Sequence, residues 1–182
     1  MVRILRGVAC AVVLTLAAAP LAAQQAKGPA YPDTPDGLKR LMTDLYAATR
    51  DGDAKRSSAL IGSLVLPRHE AWFKQVFGDR KGPQLAAEYA AVLGRFEPEL
   101  AQLCAKIVKE GQSEIRVRRF DKAPDAQAVG LQNDALAAMK SPRALYSVRF
   151  VKPGQPLGQH VYSFVYADGG FRLVGKMQAV KD

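Results

Sequence analysis

Side chains that could carry acid–base, nucleophilic or metal chemistry are few in this sequence and far apart. The chain has two histidines, His69 and His160, which are separated by 90 residues. It contains no His-Glu-x-x-His pair, no cysteine cluster, no Gly-x-Ser-x-Gly elbow and no glycine-rich phosphate loop. The sequence therefore predicts no metal site and no cofactor, and it identifies no catalytic residue.

Aromatic side chains and a few neighbours form a candidate ligand pocket instead. His160 and Tyr162 should share one face of a strand, because side chains alternate along a strand. Arg149 falls on a neighbouring strand, on the face opposite to Tyr146. A cavity with aromatic rings and one cation would suit an apolar ligand that carries an acidic group. The candidate pocket residues are Trp72, Tyr89, Tyr146, His160 and Tyr162. The alternative is an ordinary aromatic core, with His160 hydrogen-bonded at a strand end.

Basic residues outnumber acidic ones, and the formal net charge is +9. The densest group is Arg116-Val117-Arg118-Arg119, so Arg116, Arg118 and Arg119 are a candidate anion patch. Elsewhere acidic and basic residues are interspersed, which favours the alternative of a solvated basic surface.

Cys104 lies on an apolar stripe with helical spacing that includes Leu100, Leu103 and Ile107. Free cysteine is among the residue types most often buried. We expect an inert core thiol rather than a nucleophile.

The first 23 residues have the layout of a secretory signal peptide. Arg3 and Arg6 precede an apolar run from Gly7 to Ala19, and Pro20-Leu21-Ala22-Ala23 offers a small-residue cleavage site. The run is shorter than the roughly 20 residues of a membrane-spanning helix. A lipoprotein cysteine at Cys10 is a weaker alternative, because little apolar sequence precedes it.

Cleavage after Ala23 would leave 159 of the 182 residues, a net charge of +7 and the single thiol of Cys104. We expect an exported protein, periplasmic or extracellular, with no stable membrane insertion after cleavage. At that location the plausible polyanions are envelope components, so we expect no nucleic-acid partner.

Residues 24–33 are predicted to be a flexible lead-in, and residues 34–182 a single α+β domain. Thr34 or Asp33 can cap a first helix that stops at Asp51-Gly52, and Asp53 can cap a second that ends by Pro67. Three more helices are predicted between residues 69 and 110, with stops at Gly78 and near Gly94.

Strands are then predicted at residues 114–118, 144–152, 160–167 and 171–180. The third should be central in the sheet, and Asp168-Gly169-Gly170 should form a hairpin turn before the fourth. Residues 135–140 suggest a helical turn. The expected architecture is N-terminal helices packed on a curved antiparallel sheet.

The C-terminal hairpin carries a family resemblance. The run Phe164-Val165-Tyr166-Ala167-Asp168-Gly169-Gly170-Phe171-Arg172-Leu173-Val174-Gly175-Lys176-Met177 resembles the closing strand pair of exported proteins of the nuclear transport factor 2-like superfamily. The close match covers about a tenth of the chain, and the rest agrees in the order of elements. The resemblance implies a cone-like α+β fold with a pocket between sheet and helices, which members use for catalysis, for binding or as core.

Three functions follow as hypotheses. The first is an exported non-catalytic domain that binds a small apolar or lipid-like ligand, or a partner at the cell envelope. The second is a cone-fold acid–base enzyme of the dehydratase or isomerase type, with His69, His160 and Tyr162 as candidates. The third is a structural assembly factor that forms a homodimer through the open sheet face.

Overall fold

The computed structural model of this protein describes residues 31–181. The predicted signal peptide, Cys10 and residues 24–30 of the predicted lead-in lie outside the described residues. Within residues 31–181, no helix has the length and apolar character needed to cross a membrane.

The first two helices begin where their capping residues predict. Helix α1 spans Pro35–Arg50, and the Thr34 hydroxyl accepts a hydrogen bond from the N–H of Gly37 at 3.0 Å. Helix α2 spans Ala54–Ser63, and the Asp53 carboxylate accepts one from the N–H of Arg56 at 3.0 Å. Each cap satisfies a backbone donor that has no partner inside its helix.

Helix α3, His69–Lys109, is a helical run of 41 residues with one interruption at Gly78. The predicted break at Gly78 is confirmed, since this glycine has a φ of 78°. The predicted stop near Gly94 is wrong, because the helix continues through Gly94 and Pro98. Gly94 and Pro98 have poor helix propensity, and burial of their neighbours Phe96 and Leu100 in the core offsets this cost.

Four antiparallel strands follow in the order β1-β2-β3-β4. They span Glu114–Phe120 (β1), Leu145–Val151 (β2), Gly158–Ala167 (β3) and Gly170–Leu173 (β4). Helix α4, Gln132–Ala138, lies between β1 and β2 in the chain, and a short 3₁₀ helix covers Gln178–Val180. The described part of the chain is therefore α+β, and β3 is central in the sheet, as predicted.

The hairpin between β3 and β4 confirms one prediction and corrects another. Asp168 and Gly169 have φ of 49° and 72°, the positive values that a two-residue type I′ turn requires. The last strand was expected to reach Val180, but β4 ends at Leu173. Positive φ at Gly175 and Met177 turns the chain out of the strand direction.

The two faces of the sheet contact different apolar clusters. On one face, α1 and the C-terminal half of α3 pack against Ile115, Tyr146, Val148 and Phe164, and we call this cluster the first core. On the other face, α4 and the N-terminal half of α3 pack against Phe120, Leu145 and Val165, and we call this cluster the second core. Because successive side chains point to opposite faces, β1, β2 and β3 contribute to both cores, whereas β4 contributes Phe171 and Leu173 to the first core.

Beyond the second core, its face of the sheet becomes polar. We call this region the open face and define it by Arg116, Arg118, Ser147, Arg149, His160 and Tyr162. The strand register places them in adjacent rows: Arg118 opposite Ser147, Ser147 opposite Tyr162, Arg116 opposite Arg149, and Arg149 opposite His160.

The β3 segment before residue 164 extends beyond the reach of β4. There the Gln112 side-chain carbonyl accepts a hydrogen bond from the N–H of Gln159 at 2.9 Å. Gln112 is itself buried. A side chain thus takes the place of a strand partner at this point of the β3 edge.

Two glycines of α3 give a matched pair of stability predictions. A Cβ at Gly82 would lie 2.6 Å from the Cα of Lys74 and 2.8 Å from the carbonyl oxygen of Phe73, whereas a Cβ at Gly94 would meet nothing within 4 Å. We expect Gly82→Ala to lower the free energy of unfolding by about 1–3 kcal/mol through overpacking. Gly94→Ala should raise it by up to about 1 kcal/mol. Chemical denaturation of both variants measures the difference, and equal effects would contradict the close approach at Gly82.

Candidate functional site

Tyr146, a predicted pocket residue, is buried in the first core with its hydroxyl already engaged. The hydroxyl donates to Oδ1 of Asp33 at 2.6 Å and accepts from Nη1 of Arg119 at 2.7 Å. The Arg119 guanidinium carbon also lies 5.5 Å from the ring centroid. Burial, and then the Asp33 carboxylate, raise the pKa of Tyr146 well above its ordinary value. This tyrosine therefore joins the segment before α1 to the sheet.

Tyr89 and Trp72 lie instead at the second core. The Tyr89 hydroxyl accepts a hydrogen bond from the N–H of Leu66 at 2.8 Å, and burial raises its pKa. Trp72 packs edge-on against Phe73, with ring centroids 5.0 Å apart. The His69 ring lies 5.3 Å from that of Tyr89. These aromatic residues make core contacts, which was the alternative weighed for the predicted pocket.

His160 and Tyr162 share the open face, as their spacing predicted. Their ring centroids are 5.1 Å apart in an edge-to-face arrangement. Burial, and then the charge of Arg149, lower the pKa of His160. The five candidate pocket residues thus occupy three places, and the structure does not bring them together around one cavity.

An open groove of about 340 Å³ lies between α3 and the β3–β4 end of the sheet. We call it the apolar groove. From α3 it is lined by Tyr89, Val92, Phe96, Glu99, Leu100 and Leu103, and from the sheet side by Val161, Leu173, Val174 and Gly175. Tyr89 is its only member among the candidate pocket residues. The signal in the sequence was the helical spacing of Val92, Phe96, Leu100 and Leu103, which the expected stop near Gly94 interrupted.

A second groove, of about 370 Å³, lies on the open face, and we call it the basic groove. Arg116, Arg118, Ser147, Arg149 and His160 line it from the strands. Its remaining lining residues are Ala126, Gln127, Val129 and Pro156.

The three arginines of the candidate anion patch are divided between the two faces of the sheet. Arg116 and Arg118 line the basic groove. Arg119 points to the other face, where it binds Tyr146 and also forms an ion pair with Asp121 at 2.8 Å. The alternation of side chains along β1 separates it from its neighbours.

Comparison of the chain with known protein-family models, with curated proteins and with solved structures yields no match in any of the three.

Neither a metal cluster nor a reactive thiol is found in the described part of the chain. Residues 31–181 contain no group of three or more His, Cys, Asp or Glu side chains placed to hold a metal ion. Cys104 is buried in the first core, and burial raises the pKa of its thiol to about 11.

The buried thiol leads to a prediction of low reactivity. Because the thiolate is the reactive form, little of it exists at pH 8 when the thiol pKa is about 11. In protein that lacks residues 1–23, we expect Cys104 to react with a disulfide reagent at least about 100-fold more slowly when folded than in denaturant. Absorbance of the released thiol measures both rates. Rapid labelling of the folded protein would show an accessible thiol and contradict its burial.

The Tyr89 hydroxyl leads to a second prediction. Tyr89→Phe leaves the N–H of Leu66 without its acceptor, which should lower the free energy of unfolding by about 1–3 kcal/mol. Tyr166→Phe is the matched control, because the half-buried Tyr166 hydroxyl makes no hydrogen bond with residues 31–181. Denaturant titrations compare the two, and an equal loss would show that the Leu66 contact contributes nothing.

Proposed function

We propose that this protein is an exported, non-catalytic domain that binds a small apolar or lipid-like ligand in the apolar groove. The observation that carries the proposal is the groove itself. Its volume of about 340 Å³ falls within the range of small-molecule sites, roughly 300–1,000 Å³. A preformed concave surface lined mainly by aliphatic side chains is what an apolar ligand requires.

The two polar side chains that line the groove, Tyr89 and Glu99, are already engaged within the protein. The Tyr89 hydroxyl accepts from Leu66, and Glu99 forms an ion pair with Arg95 at 3.3 Å. What remains for a ligand is apolar contact with partly exposed side chains such as Val92 and Leu103. Covering apolar surface stabilises a complex by about 25 cal/mol per Å² before the costs of association. Since Glu99 is the charged side chain at the groove, a neutral apolar moiety fits better there than an acidic one.

The cone-like fold of the nuclear transport factor 2-like superfamily belongs to the same proposal. Its support is the order of the elements, with helices before an antiparallel meander, together with the type I′ turn at Asp168-Gly169. In that superfamily the ligand site lies between helices and sheet, and the apolar groove has this location. Export is supported by the signal-like pattern of residues 1–23.

Native mass spectrometry tests the ligand. Protein expressed with its own leader and recovered from outside the cytoplasm should carry a co-purifying apolar molecule, and its chain should begin near Gln24. Val92→Trp should fill the groove and abolish co-purification. Leu157→Trp is the matched control, since Leu157 is 76% exposed and does not line the groove.

Two results would contradict this proposal separately. If the wild-type protein has the mass of the chain alone and does not bind a neutral dye such as Nile red, the proposed ligand binding is wrong. Recovery of the full chain from the cytoplasm with residues 1–23 intact would contradict export but not ligand binding in the apolar groove.

A further inference from the structure

The open face places guanidinium groups side by side on neighbouring strands. Arg116 on β1 is directly opposite Arg149 on β2, and Arg149 is directly opposite His160 on β3. Residues in such cross-strand positions have Cβ atoms about 5 Å apart, and like charges placed there destabilise a sheet. Folding alone therefore does not favour the Arg116–Arg149 pair.

The charges at this position are only partly compensated. Arg116 donates to Oε1 of Glu114 at 2.7 Å and to the carbonyl oxygen of Gln155 at 3.1 Å. The side chains of Arg118 and Arg149 make no hydrogen bond or ion pair with any residue between 31 and 181. Arg149 is also half-buried, so its charge is partly withdrawn from water.

The surroundings of these cations complete a site for an anion. The basic groove measures about 370 Å³, and its lining within residues 31–181 includes no carboxylate. Ser147 and Gln127 add neutral polar groups to the lining, and Ala126, Val129 and Pro156 add apolar ones. A ligand in this groove would meet both guanidinium donors and apolar side chains.

We propose that the basic groove binds a phosphoryl group, with Arg118 and Arg149 as the principal contacts and Arg116 and His160 beside them. The planar guanidinium group donates two parallel hydrogen bonds to an oxyanion. A phosphate monoester carries up to two negative charges, which offset two guanidinium groups, whereas a carboxylate offsets one. The site is distinct from the apolar groove, and it does not depend on the ligand proposed there.

The His160 imidazole supplies an independent reporter of this site. Burial and the charge of Arg149 lower its pKa. An anion bound beside Arg149 offsets that charge and should raise the pKa of His160. This change can be followed by NMR in the wild-type protein with no substitution.

The phosphoryl group could belong to a soluble phosphate ester or to a lipid headgroup, and two arms of one experiment distinguish these sources. The first titrates the protein with inorganic phosphate and glycerol 3-phosphate by calorimetry at constant ionic strength, with acetate as a comparison. The second measures co-sedimentation with phosphatidylglycerol vesicles against phosphatidylcholine vesicles. Binding in the first arm identifies a soluble source, and binding in the second arm alone identifies a headgroup.

Charge-neutralising variants test the contacts in either arm. We expect Arg149→Gln to weaken binding by about tenfold or more, and Arg118→Gln to do the same from an exposed position that does not affect folding. Arg80→Gln is the matched control, since it removes an exposed arginine that does not line the groove.

Three results would overturn the proposal. One is no binding in either arm, and another is an equal loss in Arg149→Gln, Arg118→Gln and Arg80→Gln. The third is an unchanged His160 pKa at a phosphate concentration that saturates the calorimetric signal.

Discussion

The structure depends on the two-residue alternation of side chains across a small antiparallel sheet. Every strand supplies apolar side chains to the first core, and β1, β2 and β3 also supply the second core along part of their length. Within residues 31–181, α1 and the C-terminal half of α3 cover one face, and the N-terminal half of α3 and α4 cover part of the other. Both grooves lie where this cover ends: the apolar groove beside the last strand, and the basic groove beyond the apolar row of Phe120, Leu145 and Val165.

The unequal lengths of β3 and β4 explain the position of the apolar groove. β3 has ten residues and β4 has four, so Val161 is flanked by β2 on one side but by no strand on the other. Helix α3 passes this position with Phe96 and Leu100 directed towards the sheet. The space left between the helix and the shortened edge is apolar because side chains of both cores line it, such as Leu100 of the first core and Val174 of the second.

Local signals in the sequence were sufficient for the helix starts and the hairpin, because Thr34, Asp53 and Asp168-Gly169 act on their own backbone. The continuation of α3 through Gly94 was not predictable locally, because it depends on packing against distant elements. The site was harder still. A bulge leaves Ser163 as an additional residue in β3, so Tyr162 lies opposite Ser147 while Phe164 lies opposite Tyr146 on the other face. Counting by two along the sequence would have placed Tyr162 and Phe164 together.

The hydrogen bond from Gln159 to Gln112 has a consequence for self-association. A strand edge with free N–H and C=O groups can template the addition of another chain, and such edges are a common route to aggregation. At Gln159 the donor that would pair with an incoming strand is already taken by a buried side chain. The part of β3 that β4 leaves uncovered borders the apolar groove. At Gln159, however, its backbone N–H is not available to pair with the strand of another chain.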